Sequence, residues 1–252
     1  MKPVFVIARM TWTELLRDRF VALIGFVAVL LLVLSNFLGS LTLDEQKRLL
    51  VHLGFAGFQM TLVGLSLFLG SWSLQKELDR QTCLLVLSRP VSRTQFVFGK
   101  WLGSLALIAF FWLLSGLLHL GLLGFAIPFG PYWTAHATIF WESGFILCLA
   151  FFFASFLRPL LAFASSATLW LAGHWREDLV FFAKKSGSPA LRALASVSDW
   201  IFPPLNRLEV RTLQFVEAGD LSLLTWPVIH LLFWSTLLLF FAQLIWRRRD
   251  LV

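Results

Sequence analysis

The sequence predicts an all-α polytopic membrane protein, a single transmembrane domain over residues 1–252 with six transmembrane helices, and three observations predict it. The chain is 58% hydrophobic and only 14% charged, with a mean hydropathy of +0.80, whereas soluble domains run near a quarter charged. Six apolar runs are separated by polar breaks, and about 20 apolar residues suffice to cross a hydrocarbon core of about 30 Å. The chain holds 27 Phe and 12 Trp but one Tyr; Phe suits lipid-facing and packing surfaces, and Trp suits the headgroup level. The net charge of +7 is what a membrane protein retains on its cytoplasmic side. Its charges are spread over two membrane faces, so no nucleic-acid partner is expected.

Residues 1–19 are too polar to span. Val4, Ile7, Met10, Thr11 and Leu15 recur at helical spacing, with Arg9, Arg17 and Arg19 elsewhere, which fits an interfacial helix in the headgroup plane; an ordinary frayed terminus is the alternative. Span one covers about 20–38. It is long for a signal peptide and has no small-residue cleavage site, so it is expected to stay as a signal anchor. Span two covers about 50–74 and carries Gly54, Gly57, Gly64 and Gly70, small residues that let helices approach closely. Gln59 in this span either lines a pathway or is satisfied by a neighbouring helix. Spans three and four cover about 101–127 and 138–157. His119 in span three reads as a packed residue more readily than as a ligand. Glu142 in span four is a costly carboxylate, on the order of 2.5–3.5 kcal/mol at a helix centre on insertion scales. It is a pathway candidate unless it reaches the interface beside Trp141. Span five, about 160–174, is short, rich in Ala and Ser, and begins at Pro159, a residue suited to the first helical turn. Residues 175–222 form the largest polar region, and span six covers about 223–246.

Six spans put both termini on one side. Thirteen basic residues fall in 1–19, 75–100, at Arg158 and in 247–249, against eight on the opposite side, where eight acidic residues offset them. The excess of Lys and Arg in short loops places both termini in the cytoplasm and 175–222 outside. The two cysteines, Cys83 and Cys148, have no metal-like spacing and no disulfide pattern. There is no G-x-x-x-x-G-K-[ST], no H-E-x-x-H and no G-x-S-x-G in the chain, so neither a phosphate-cradling loop nor a recognisable catalytic motif is present. His174, Glu177 and Asp178 cluster just beyond span five, as a metal site or, more simply, as a solvated turn. Catalysis, metal and bound cofactor are not expected of this chain.

The longest polar interruption of the first half is residues 75–100, QKELDRQTCLLVLSRPVSRTQFVFGK. It carries five basic and two acidic residues around the apolar run 83–87, and Pro90 disfavours the helical region for Arg89. Glu77, Thr82, the leucine-rich turn with Leu85 and Leu87, then Arg89, Pro90, Arg93, Phe96 and Gly99-Lys100 resemble a pattern of ABC-2-type transporter permeases. That pattern reads roughly E-x-x-x-G-T-x-x-x-L-L-x-x-P-[VI]-x-R-x-x-[FY]-x-x-G-K; Arg80 and Gln81 stand where it has a small residue before the Thr. The ending Arg248-Arg249-Asp250-Leu251 also looks like that family's. The permeases of the nitrous-oxide-reductase-maturation and gliding-motility type look most similar.

The resemblance implies an ABC-2, type V exporter-like architecture in a bacterial inner membrane. It implies a homodimer, or a pair with a related permease, served by two copies of a separate ATPase that binds the ATP. It makes 75–100 the cytoplasmic coupling loop, with Glu77, Thr82, Leu85, Leu87, Arg89, Pro90 and Arg93 meeting the ATPase. A basic loop held to anionic headgroups is the alternative. The function implied is export of a substrate, or action on lipid or envelope components, with a mechanotransmitting or scaffold subunit as the other reading. Membrane lipid and an external or periplasmic partner at 175–222 complete the expected partners.

Overall fold

In lipid every backbone polar group must find its partner within the chain, and the helix does this within one segment. The computed structural model describes residues 2–41, 46–79, 91–124, 127–201, 205–208 and 224–248, and among them there is no strand. The helices are α1 (Lys2–Leu16), α2 (Arg19–Ser40), α3 (Gln46–Asp79), α4 (Arg93–Leu122), α5 (Phe129–Ala154), α6 (Pro159–His174), α7 (Arg176–Ser186), α8 (Pro189–Ile201) and α9 (Thr225–Arg248), with a 3₁₀ turn at Leu205–Leu208. Five of them, α2, α3, α4, α5 and α9, are long and apolar enough to cross a membrane. The 16 residues of α6 span about 24 Å at 1.5 Å per residue.

Helix boundaries depart from the sequence reading at three places, each with a local cause. The stretch 75–100 is helical at both ends, since α3 runs on to Asp79 and α4 begins at Arg93. The start of α4 is set by a capping box. The Ser92 hydroxyl accepts from the Gln95 N–H at 3.2 Å, and the Gln95 side chain accepts from the Ser92 N–H at 3.0 Å, so two otherwise unpaired donors are satisfied. Span three, read to 127, ends as a helix at Leu122, where Gly124 takes a left-handed φ of 61°. Span four, read from 138, begins as a helix at Phe129, directly after Pro128. Pro131 then falls in its first turn, where a missing N–H costs nothing.

Two helices form the centre. α3 packs against α2, α4, α5 and α6, and α5 packs against α3, α4, α6 and α9. The apolar windows of α3 and α5 are 61% and 67% buried, against 17% in α2, whose Leu23, Phe26, Leu30, Val33 and Phe37 are exposed. With no water to escape, α2 presents those residues to lipid or to another helix.

α1 does not lie free beside the bundle. Ile7, Ala8, Thr11 and Leu15 are buried, one face at i, i+4 spacing, and α1 packs on α4. The approach is close because α4 offers Gly99 and Gly103. A Cβ on Gly99 would stand 2.8 Å from the Ile7 Cβ, and one on Gly103 would stand 2.6 Å from the Ala8 carbonyl oxygen. Two small residues four apart let backbones meet. The opposite face carries Phe5, Val6 and Met10, exposed.

Candidate functional site

Polar side chains gather at two levels of the bundle. The first is at the end that carries α1, here called the basal end, where α1, the end of α3 and the start of α4 converge. Lys100 on α4, 8% exposed, lies 2.5 Å from Glu77 of α3 and 3.4 Å from Glu14 of α1. Lys76 on α3 lies 2.8 Å from Glu14 and 3.6 Å from Asp18. Three carboxylates therefore hold two ammonium groups, and Glu14 is shared between them. Burial raises the Glu14 carboxyl, but the Lys76 and Lys100 ammoniums beside it outweigh that and leave it below the ordinary carboxylate value. At the same end, the Arg93 guanidinium donates to the Arg247 carbonyl at 3.3 Å. The Phe96 ring meets, at 5.7 Å and tilted, that of Trp246 of α9, which is fully buried. The start of α4 is thus tied to α1, α3 and α9 together.

The second level lies about 25 Å away, counted as 17 helical residues from Lys76 to Gln59. Glu142, in the middle of α5, is fully buried and does not reach an interface; with α5 starting at Phe129 it stands 13 residues inside the helix. Its carboxylate accepts from the Gln59 amide of α3 at 3.0 and 3.2 Å and from the Trp170 indole of α6 at 2.7 Å. His174 Nε2 approaches it at 3.4 Å and the Gln59 amide at 3.3 Å. His174 Nδ1 stands 3.1 Å from the Trp170 carbonyl, an acceptor only, so Nδ1 carries the hydrogen. Nε2 then accepts from Gln59 when the ring is neutral and pairs with Glu142 when it is charged. Trp170 and His174 lie four apart, on one face of α6. Beyond them the chain turns at Trp175, 65% exposed, so this carboxylate centre lies under the far surface.

His119 is a packed residue. It is fully buried, with Nε2 3.1 Å from the Leu50 carbonyl and the Tyr132 hydroxyl 3.2 Å from Nδ1. Gly54 of α3 supplies the space its ring occupies. His136 and Trp112 exchange ring-to-carbonyl hydrogen bonds at 2.8 and 2.9 Å, which clasps α4 to α5. Among the described residues no three His, Cys, Asp or Glu side chains converge as a metal site requires.

The family model described as ABC-2 family transporter protein matches residues 5–175. The chain belongs to that family. A comparison with curated proteins finds no match. The matched region runs from α1 to the end of α6, so it contains both polar levels of this ABC-2 protein and stops just before α7. Membership makes it the multi-pass membrane component of an ABC transporter, and implies association with an ABC ATPase.

Of the residues the sequence singles out, Gln59 and Glu142 of this ABC-2 protein are in direct contact. Glu77 and Arg93 stand on the two helices that flank the α3–α4 link, each engaged with its own neighbours. Thr82, Leu85, Leu87, Arg89 and Pro90 lie outside the described residues. Four participants escaped the sequence reading: Glu14 and Lys76 as a bridge between α1 and α3, and Trp170 and His174 as partners of Glu142. The signal for the last pair was present, since Trp and His at i, i+4 end a short helix beside a span with an unexplained carboxylate. His174 instead drew attention as a partner of Glu177 and Asp178.

Proposed function

We propose that this chain is the permease subunit of an ABC exporter, energised by a separate ATPase that docks on the basal end. The observation that carries the reading is the family match over residues 5–175. The geometry supports it. The link between α3 and α4 springs from two helices whose ends are fastened to α1 by Glu14, Lys76, Glu77 and Lys100. A push on that link therefore reaches α1, α3 and α4 as one body. It also reaches the carboxylate centre directly, because α3 carries both Lys76 and Gln59. In this reading the basal end is cytoplasmic, which the excess of basic residues there supports. α1 rests at the headgroup level, α6 completes six crossings, and 175–222 lies outside.

Gln59 and Glu142, with Trp170 and His174, then form a gate across α3, α5 and α6 on the far side of the pathway. The subunit pairs with a second copy or a related permease, and two ATPase subunits serve the pair. The permeases of nitrous-oxide-reductase maturation and gliding motility are the kind it resembles, which points to a substrate that is exported or to lipid and envelope components. The test is reconstitution with the ATPase: Glu77→Ala with Arg93→Ala is expected to abolish co-purification or uncouple hydrolysis while leaving membrane insertion intact. Unchanged complex and unchanged stimulated hydrolysis would overturn the coupling assignment.

A further inference from the structure

A cavity of about 420 Å³ opens at the basal end between α1, α3 and the first turns of α2, α4 and α6. Its lining is ordered from polar to apolar along the membrane normal. The charged groups Glu14, Asp18, Lys76 and Lys100 stand at the basal rim. One and two turns deeper along α3 come Trp72 and Phe68, stacked at 5.3 Å. Phe20 of α2 meets Phe68 at 5.1 Å, and Phe163 of α6 meets Trp72 edge-on at 5.8 Å. α2 and α6 both pack on α3, and Phe20, 59% exposed, marks the mouth between them.

Two further polar residues line the cavity. Thr11 on α1 and Ser73 on α3 are 2% and 9% exposed, and their hydroxyls have no hydrogen-bond partner among the described residues. A buried polar atom left unpaired is costly, and a polar ligand end entering here relieves that cost. The charge at the rim sets the character of that end. Glu14 and Asp18 balance Lys76 and Lys100 there, so the rim matches a headgroup that carries both an ammonium and a phosphate. Lys76, the more exposed of the two lysines, offers a phosphate partner beside it.

We propose that this cavity holds one phospholipid with a primary-ammonium, zwitterionic headgroup, taken from the leaflet on the N-terminal side. The ammonium sits between the carboxylates of Glu14 and Asp18 and the Thr11 and Ser73 hydroxyls. The phosphate meets Lys76, and the first acyl carbons lie along Phe68, Trp72 and Phe163. This site stands apart from the ATPase reading and needs no second protein.

The test is native mass spectrometry of the purified full-length chain, without any ATPase, in mild detergent. Equimolar phosphatidylethanolamine and phosphatidylglycerol with identical acyl chains are the probes. The ethanolamine lipid is expected to be retained about tenfold over the glycerol lipid, the size of one charge-assisted contact. Asp18→Asn keeps the α2 N-cap, since Asn caps as well as Asp, while removing the charge; it is expected to bring the two lipids to parity. Ser73→Ala is expected to weaken the ethanolamine lipid with no change in helix content. Equal retention by the native chain, a preference for the glycerol lipid, no lipid retained, or an ethanolamine preference unmoved by Asp18→Asn would each overturn the proposal. None of those outcomes would touch the pairing with an ATPase.

Discussion

The carboxyl group of Glu142 is fully buried, so it rests on the groups that touch it. The Gln59 amide and the Trp170 indole donate to it, and His174 stands at the remaining approach. Removing the carboxylate strands the buried Trp170 indole and leaves the half-buried Gln59 amide with His174. Glu142→Ala is expected to destabilise the folded chain by about 1–3 kcal/mol, as an unpaired buried donor does, read from unfolding in detergent. Glu142→Gln keeps an acceptor oxygen and is expected to cost less than half as much, yet to lower transport in vesicles, because it removes the carboxylate that Gln59, Trp170 and His174 share. Glu14 carries a second prediction at this scale. Its folded carboxyl titrates below its ordinary value of 4.5. The stability it contributes is therefore complete above about pH 4.5 and lost as pH falls through the depressed folded value. In Glu14→Gln that acid-side loss is expected to be smaller, measured as melting temperature against pH between about 3 and 6.

Elements here are held by shape as much as by charge. α1 rests on α4 because Gly99 and Gly103 leave room for the Ile7 side chain and the Ala8 carbonyl. A side chain at 103 meets backbone, which cannot swing aside. Gly103→Val is expected to lift α1, costing about 1–3 kcal/mol as overpacking does, and to raise hydrogen exchange across residues 2–16 while α5 stays protected. If the basal end transmits force through α1, the same variant uncouples the ATPase. The Lys100–Glu77 pair makes a complementary case. Both side chains are largely buried, and Lys100 also meets Glu14 at 3.4 Å, so the loss of one partner is shared by the rest of the cluster. Lys100→Met is expected to loosen the basal end while the bundle stays folded, and Lys100→Met with Glu77→Leu to recover much of the loss, as seen in thermal melts of the pair of variants.

At the scale of the whole molecule, helix existence was legible because lipid admits so few alternatives to it. The runs of Leu, Phe and Val through α2, α4 and α9 mark themselves. Helix ends were less legible. They depend on single contacts such as the Ser92–Gln95 capping box and the left-handed Gly124, which hydropathy does not register. The pairing of Gln59 with Glu142 was half legible. Two polar residues in apolar runs stand out, but the contact between them is set by how α3 crosses α5. The basal cluster was the least legible part. Glu14 reads as an ordinary polar residue of an amphipathic helix until α1 folds onto α4 and brings it to Lys76 and Lys100.

Sidedness is a prediction at this same scale. A cysteine placed at Ser188, between α7 and α8, is expected to label with an impermeant reagent only from outside intact cells. In the proposed function an ATPase drives this bundle from the basal end. The most direct measurement is ATP hydrolysis by the co-purified ATPase in proteoliposomes, with the native chain and with Glu77→Ala, Arg93→Ala. Hydrolysis is expected to depend on the native permease and to fall to the rate of the ATPase alone in the double variant, with insertion and helix content preserved. Hydrolysis indifferent to the permease, or undiminished by the double variant, would contradict it.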